Sequence, residues 1–311
     1  MPDQRETCRI FKPAFHADLA DPSDLAAPEA VPEHAEVQPA RSEPRPPASL
    51  TVADYWQEED TRAFLEHHRA MPYQQMLRDT ATCLDPFPGE RWLDVGCGRG
   101  HLTAVLWGKS QGQVAQVVAV DDAPGSQQAF ARLEMKLLPT PRAGQIEFIA
   151  GNPADGLAPL ETASFDGIVS GLTLGYAESL DANGAYTDEG YNRLLAELHR
   201  VLKPGGRLVF TVNVPRPHFW GVLWRAVRQA ISLPQPGRVL SNALKMQRYG
   251  RWLRGEARRG RFHFLPLKVV LARLGDVGFD GLSHRLTFAR QAYLIVAHKK
   301  AERAAPARAA A

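Results

Sequence analysis

WLDVGCGRG, Trp92 to Gly100, is the stretch on which the fold turns. A short apolar run ends at Asp94-Val95, Gly96, Gly98 and Gly100 then alternate, and HLTAVLW opens a helical pattern at His101. Strand, glycine loop and helix in that order mark the first crossover of an α/β sheet. Glycines there let the chain turn sharply and let a ligand approach the main chain without a Cβ in the way. Ligands of open α/β sheets sit beyond the carboxyl ends of the strands, where this loop lies. Dinucleotide-binding loops favour Gly-x-Gly-x-x-Gly with a pyrophosphate at the helix start. Here the order is Asp-x-Gly-x-Gly-x-Gly. A carboxylate is awkward beside a pyrophosphate and well suited to a ligand bearing an ammonium group.

Outward from this loop the chain alternates. RWLDV, QVVAV, IEFIA, DGIVS and GRLVFTV read as strands separated by helical segments. Parallel strands need such long crossovers and bury both faces, so a parallel sheet covered by helices on both sides is expected. LSHRLTF and AYLIVAH, three residues apart near the end, read as a hairpin adding an antiparallel element at the sheet edge. Before the sheet, residues 51–84 place Tyr55, Trp56, Phe64, Met71, Tyr73, Met76 and Leu77 at near-helical spacing, as one or two helices. Residues 1–50 hold nine prolines and few large apolar side chains, which predicts a disordered tail. Residues 301–311 read as a second tail, leaving 51–300 as the folded domain.

A second mark stands on the next strand. VVAVDDAP (Val117 to Pro124) ends in Asp121 about twenty residues past the loop, and a carboxylate at that strand tip can accept ribose hydroxyls. Asp122 is the neighbouring alternative, which could equally cap a helix. WLDVGCGRG, VVAVDDAP, GNPADGLAP, SFDGIVS and HRVLKPGGRLVF occur in order at suitable separations. Together they resemble the class I S-adenosylmethionine-dependent methyltransferases, in particular the small-molecule group that includes ubiquinone and menaquinone methyltransferases. The resemblance covers residues 85–214 well and 263–299 more loosely. It implies a Rossmann-like seven-stranded, mostly parallel sheet with the last strand antiparallel.

By the same resemblance, Asp94, Gly96, Gly98 and Gly100 hold the methionine part of S-adenosylmethionine, and Asp121 takes the ribose hydroxyls. Cys97 and Asp122 lie within the same two loops and join that set. Asn152 and Pro153 lie against the adenine, and Ser170 and Gly171 line the methyl donor. Family members commonly carry an acidic residue where Asn152 stands, although an Asn side-chain oxygen can still accept from the adenine amino group. HRVLKPGGRLVF reads as a helix end, a turn and a buried strand, with His199 in a packing or capping role.

Methyl transfer from a sulfonium needs chiefly proximity and alignment, with a general base only where the acceptor must lose a proton. Tyr176 after the fourth strand, His218 after the fifth and His263 at the return into the fold are the candidates at the mouth, each with an ordinary packing role as the alternative. No metal site is expected, because Cys8, Cys83 and Cys97 are scattered without ligand spacing. SGLTLGY replaces the Asn/Asp-Pro-Pro-aromatic run that accompanies base amine methylation, and no cysteine suits attack on a pyrimidine. Nucleic acid is therefore disfavoured as substrate, and a small, hydrophobic acceptor such as a quinone, lipid precursor or secondary metabolite is expected. The net charge of +3 decides little, but residues 215–262 hold eleven Arg or Lys against one acid, Glu256. In FWGVLWRAVRQAI, Trp220, Leu223, Trp224, Val227 and Ile231 fall on one helical face. This basic, aromatic insert reads first as a substrate cap. It reads second as a peripheral contact with an anionic membrane, and third as an RNA-binding patch of an RNA methyltransferase. A non-catalytic or NAD-binding Rossmann-like protein is the alternative from another class. No apolar run approaches the ~18 residues of a membrane span. MPDQRETCRIFK lacks a secretory layout, so a cytoplasmic protein, at most peripheral at a membrane, is expected.

Overall fold

The computed structural model describes residues 71–123, 125–137, 145–153, 155–216 and 250–301. Expectations for residues 1–70, for the Trp220–Ile231 face, for His218 and for the last ten residues lie outside that range.

Seven strands form one sheet in the order β3-β2-β1-β4-β5-β7-β6. They are β1 (Arg91–Val95), β2 (Gln116–Asp121), β3 (Ile146–Ala150), β4 (Phe165–Gly171), β5 (Leu202–Asn213), β6 (Phe279–Thr287) and β7 (Ala292–Lys299). The first five pair in parallel, and β7 runs antiparallel to both β5 and β6. The five parallel strands stand where the apolar runs predict them. The closing hairpin also forms, but β7 lies one strand in from the edge and β6 occupies the edge itself. Phe288, read as part of a strand, instead opens a turn in which Phe288, Ala289 and Arg290 all have positive φ.

Reversal of strand order between β1 and β4 makes the switch point. Chain order runs outward from β1 through β2 to β3, then returns to β4 on the other side. The helices are α1 (Met71–Ala81), α2 (His101–Lys109), α3 (Ser126–Leu137), α4 (Glu189–Val201) and α5 (Leu267–Val277). Period-two alternation assigns them to faces. Leu93 and Val95 of β1 join the core with Leu194, Leu198, Val270 and Leu274 of α4 and α5. Trp92 points the opposite way, into a core with Met76, Leu77, Leu102 and Leu106 of α1 and α2. Asp94 shares the Trp92 face by the same alternation, which aims a carboxylate at α2. Gly167 of β4 makes room for Trp92, since a Cβ there would overlap the indole ring.

The Lys203-Pro-Gly-Gly206 stretch was expected as a turn before β5. It is carried within the strand as an irregularity, because Phe165 pairs with Leu202 while Gly167 pairs with Arg207. Its positive-φ Gly205 absorbs the extra residues. His199 has the packing role expected of it, its ring 5.0 Å from Phe279. No described helix is long and apolar enough to cross a membrane.

Candidate active site

The tips of four parallel strands converge on the glycine loop. Val95 is in register with Val120 and with Ser170, and Asp121 with Ala150. Gly96, Gly98 and Gly100 all take positive φ, at 69°, 53° and 77°. Gly96 and Cys97 donate their N–H groups to Val120 O, at 2.8 and 3.2 Å, and tie the loop to β2. A Cβ on Gly96 would overlap the Thr173 side chain, whose hydroxyl donates to Gly96 O at 3.2 Å. Around Gly98, by contrast, a Cβ would meet nothing within 4 Å, so this part of the loop faces open space.

Asp94 is fully buried. One carboxylate oxygen accepts from Thr103 of α2 at 2.6 Å, and the other has no hydrogen-bond partner among the described residues. Burial, opposed by the Thr103 hydrogen bond and reinforced by nearby Asp121, pushes its carboxyl up from 3.8 to about 7. An unsatisfied buried carboxylate oxygen costs on the order of 1–3 kcal/mol or more, and a cationic donor beside it would relieve that cost. Asp121 is differently held. Its two oxygens accept from Gly98 N–H and Ala123 N–H, both at 2.8 Å. Each oxygen keeps a second lone pair for an outside hydroxyl. The same carboxylate therefore shapes the loop and offers acceptor sites above it. Asp122, half-buried, has its carboxyl raised, mainly by burial and then by Asp121 and Glu178.

The remaining expected residues divide into those at the crevice and those that support it. Asn152 and Pro153 follow β3, whose end is joined to β2 by Gly151 N–H donating to Asp121 O at 3.1 Å. Asn152 is exposed and Pro153 buried. Ser170 is fully buried, and its hydroxyl donates to Val95 O at 2.8 Å, so it ties β4 to β1 and presents no hydroxyl to a ligand. Beside it, Gly171 leaves space that a Cβ would take from Leu102. Cys97 is buried, and burial pushes its thiol far up, which makes it an inert packing residue of the loop.

Of the mouth candidates, Tyr176 ends a 3-10 turn after β4 (Leu174–Tyr176). Its ring meets Phe262 and Phe264 edge-on at 5.0 and 5.6 Å, and Asn213 at the tip of β5 donates to its hydroxyl at 3.3 Å. Burial pushes the phenol well above its usual range, against the acidifying Asn213 contact. His263 is buried, with Nε2 2.9 Å from Ala177 O, and burial keeps its pKa below the usual value. It is a packing histidine, its Nδ1 3.5 Å from Asp188, and its backbone N–H donates to Gly175 O at 2.7 Å, clipping the chain after the insert to the loop after β4. Beside it, buried Arg261 donates to Glu178 at 2.6 Å and also faces Glu256 at 3.4 Å.

Sequence reasoning missed Thr103, Thr173 and Asn213. Thr103 alone left a signal, as a hydroxyl on the apolar stretch HLTAVLW facing a buried acid. Thr173 and Asn213 act through contacts between distant loops, which spacing along the chain does not reveal.

A glycine loop between two strand-tip carboxylates, on a sheet of this order with an antiparallel seventh strand, defines the class I methyltransferase architecture. Residues 93–210 match a family described as a methyltransferase domain. The chain is 32% identical over 162 residues to a demethylmenaquinone methyltransferase of Thermus thermophilus, covering 51% of this chain and 64% of that protein. It is 32% identical over 136 residues to the O-methyltransferase cnsE of Penicillium expansum, covering 43% and 42% of the two. The chain thus spans less than two thirds of the length of these curated relatives. Phosphoethanolamine N-methyltransferase 2 of Haemonchus contortus, solved in complex with S-adenosyl-L-methionine, superimposes with a TM-score of 0.52 at 14% identity, over 83% of this chain and 62% of that one. Residues 93–210 thus resemble the methyltransferase domains of these proteins, and the sheet has the fold of that class.

Proposed function

We propose that the protein binds S-adenosylmethionine across the tips of β1, β2 and β3 and transfers its methyl group to a small, hydrophobic acceptor of the quinone or secondary-metabolite kind. The observation that carries the reading is the partnerless, buried oxygen of Asp94 beside a glycine loop open at Gly98. That arrangement asks for a cation, and an α-ammonium fits it. Asp121 would receive the ribose hydroxyls, with Asn152 and Pro153 beside the adenine. A dinucleotide would instead place its pyrophosphate at the glycine loop beside Asp94, against like charge. The Thermus demethylmenaquinone methyltransferase and the Penicillium O-methyltransferase support the acceptor class.

When bound, the sulfonium supplies a methyl group whose leaving group is already activated. The chain's own residues then have mainly to position and exclude water. Proximity and alignment of this kind are worth about 7 kcal/mol or more. Thr173 and Gly96 fix the loop, Asp121 fixes its height above β2, and Gly171 keeps the β4 tip slender where the acceptor approaches. Tyr176 forms a wall. With its phenol held protonated at neutral pH, it acts as apolar surface and hydrogen-bond donor, and any proton lost by the acceptor leaves by another route.

The test is transfer of labelled methyl from S-adenosylmethionine to reduced demethylmenaquinone analogues and to fractionated lysate. Label in the lipid or small-molecule fraction supports the reading. Label confined to RNA would replace the acceptor class, and no label in any fraction would remove the activity.

A further inference from the structure

The insert's final turns form a feature that the cofactor crevice does not use. Residues 250–258 are helical, and Arg254 and Arg258 stand four apart on one face with Ala257 between their bases. Across from them, Arg216 follows the tip of β5, and the three arginines line a pocket of ≈ 390 Å³ with Pro215, Ala257 and Phe264. Like charges at this helical spacing repel one another. Among the described residues their guanidinium groups make one hydrogen bond, from Arg254 Nε to Gly250 O at 3.1 Å. Glu256, the one acid of the insert, is turned away to Arg259 and Arg261. None of the three lining arginines forms an ion pair with a described residue.

The pocket is one aromatic layer from the mouth. Phe264 lines it and meets Tyr176 edge-on at 5.6 Å, while Tyr176 accepts a hydrogen bond from Asn213, two residues before Pro215. A molecule presenting its reacting atom at the β4 and β5 tips would therefore reach this pocket with its far end. The geometry points to an acceptor that carries an anionic head, a carboxylate or a phosphate, at the end of an apolar body, with Arg216, Arg254 and Arg258 as its specificity determinants. Planar guanidinium groups bind both heads in bidentate fashion, and the Phe264, Ala257 and Pro215 surfaces take the adjoining hydrocarbon. A concave pocket of this size suits a single head group, whereas a bilayer or a polyanion meets a flat or convex basic face. Naming the occupant as the acceptor rests on the methyltransferase reading; the anion site does not.

Calorimetry on the full chain, saturated with S-adenosylhomocysteine, tests this with octanoate, octyl phosphate and octanol, all below micelle-forming concentrations. Both anions should bind at least tenfold tighter than the alcohol, and the tighter of the two identifies the head. The double substitution Arg254→Gln with Arg258→Gln should erase that advantage, and Arg254→Lys with Arg258→Lys should keep part of it. S-adenosylhomocysteine affinity should stay unchanged in both, which also reports an intact fold. Equal binding of octanol and the anions to the unaltered protein overturns the inference. So does selectivity that survives the Gln pair, or Arg-dependent binding seen only with phosphatidylglycerol vesicles or single-stranded RNA. Anion selectivity without any S-adenosylhomocysteine binding would leave the pocket standing and remove the methyltransferase reading instead.

Discussion

Asp94 weakens the fold at neutral pH, a cost that a bound cation would offset. Its carboxyl, ordinarily at 3.8, sits at about 7 because burial penalises the charge. Below pH 3.8 the group is neutral in folded and unfolded chains alike, and no penalty exists. As pH climbs from 3.8 to about 7 the unfolded chain ionises first, so stability drains away, and above that the loss is constant. The full difference corresponds to roughly 4 kcal/mol. Asp94→Asn should therefore be more stable than the unaltered protein at pH 8, with the advantage shrinking toward pH 4, in urea unfolding series at both pH values. The same substitution should weaken S-adenosylhomocysteine binding at least tenfold, and binding by the unaltered protein should itself weaken as pH falls below about 7. An Asp94→Asn protein destabilised equally at every pH would show that the carboxylate holds the fold together and is not waiting for a cation.

Among the elements, the loop after β1 separates two glycine requirements that look alike along the chain. Gly96 is locked from above by Thr173 and from beside by β2, whereas Gly98 faces the crevice. Alanine at Gly96 meets both a left-handed backbone, costing about 1–2 kcal/mol, and an overlap with Thr173, costing about 1–3 kcal/mol more. Gly98→Ala bears only the backbone cost, but places a methyl group where the ligand's main chain would approach. Thermal unfolding should rank Gly96→Ala well below Gly98→Ala, while S-adenosylhomocysteine affinity should fall in Gly98→Ala despite its retained stability. The strand–loop–helix unit itself was legible because both periodicities, two and then 3.6, meet at a fixed glycine pattern. Its strap was not. Thr173 reaches Gly96 from 77 residues away, and only the folded β4 tip brings them together. Likewise the hydroxyl of Ser170 donates to Val95 O of the neighbouring strand, a contact that appears only once β4 is laid beside β1.

At the scale of the molecule, five parallel strands and a closing hairpin could be read from apolar runs, since a sheet buried on both faces demands them. The insertion of β7 between β5 and β6 could not, because hairpin signals fix which strands pair and leave open which one meets the sheet. The proposed acceptor end is less legible still, because Tyr176 follows β4, Asn213 ends β5, and Arg254, Arg258 and Phe264 come from the far end of the insert. What the whole architecture does predict is selective linkage between ligand and fold. A ligand that bridges the β1 and β2 carboxylates adds RT ln(1 + [L]/Kd), about 2.7 kcal/mol at a hundredfold excess over Kd. For a folded unit of roughly 150–250 residues each kcal/mol raises Tm by about 2–4 °C. S-adenosylhomocysteine at that excess should therefore raise Tm by roughly 5–11 °C. NAD at the same concentration should leave it unchanged, because its pyrophosphate would lie at the glycine loop and meet Asp94 with like charge. Stabilisation by NAD, with none by S-adenosylhomocysteine, would mean that the two strand-tip acids serve only to shape the loop.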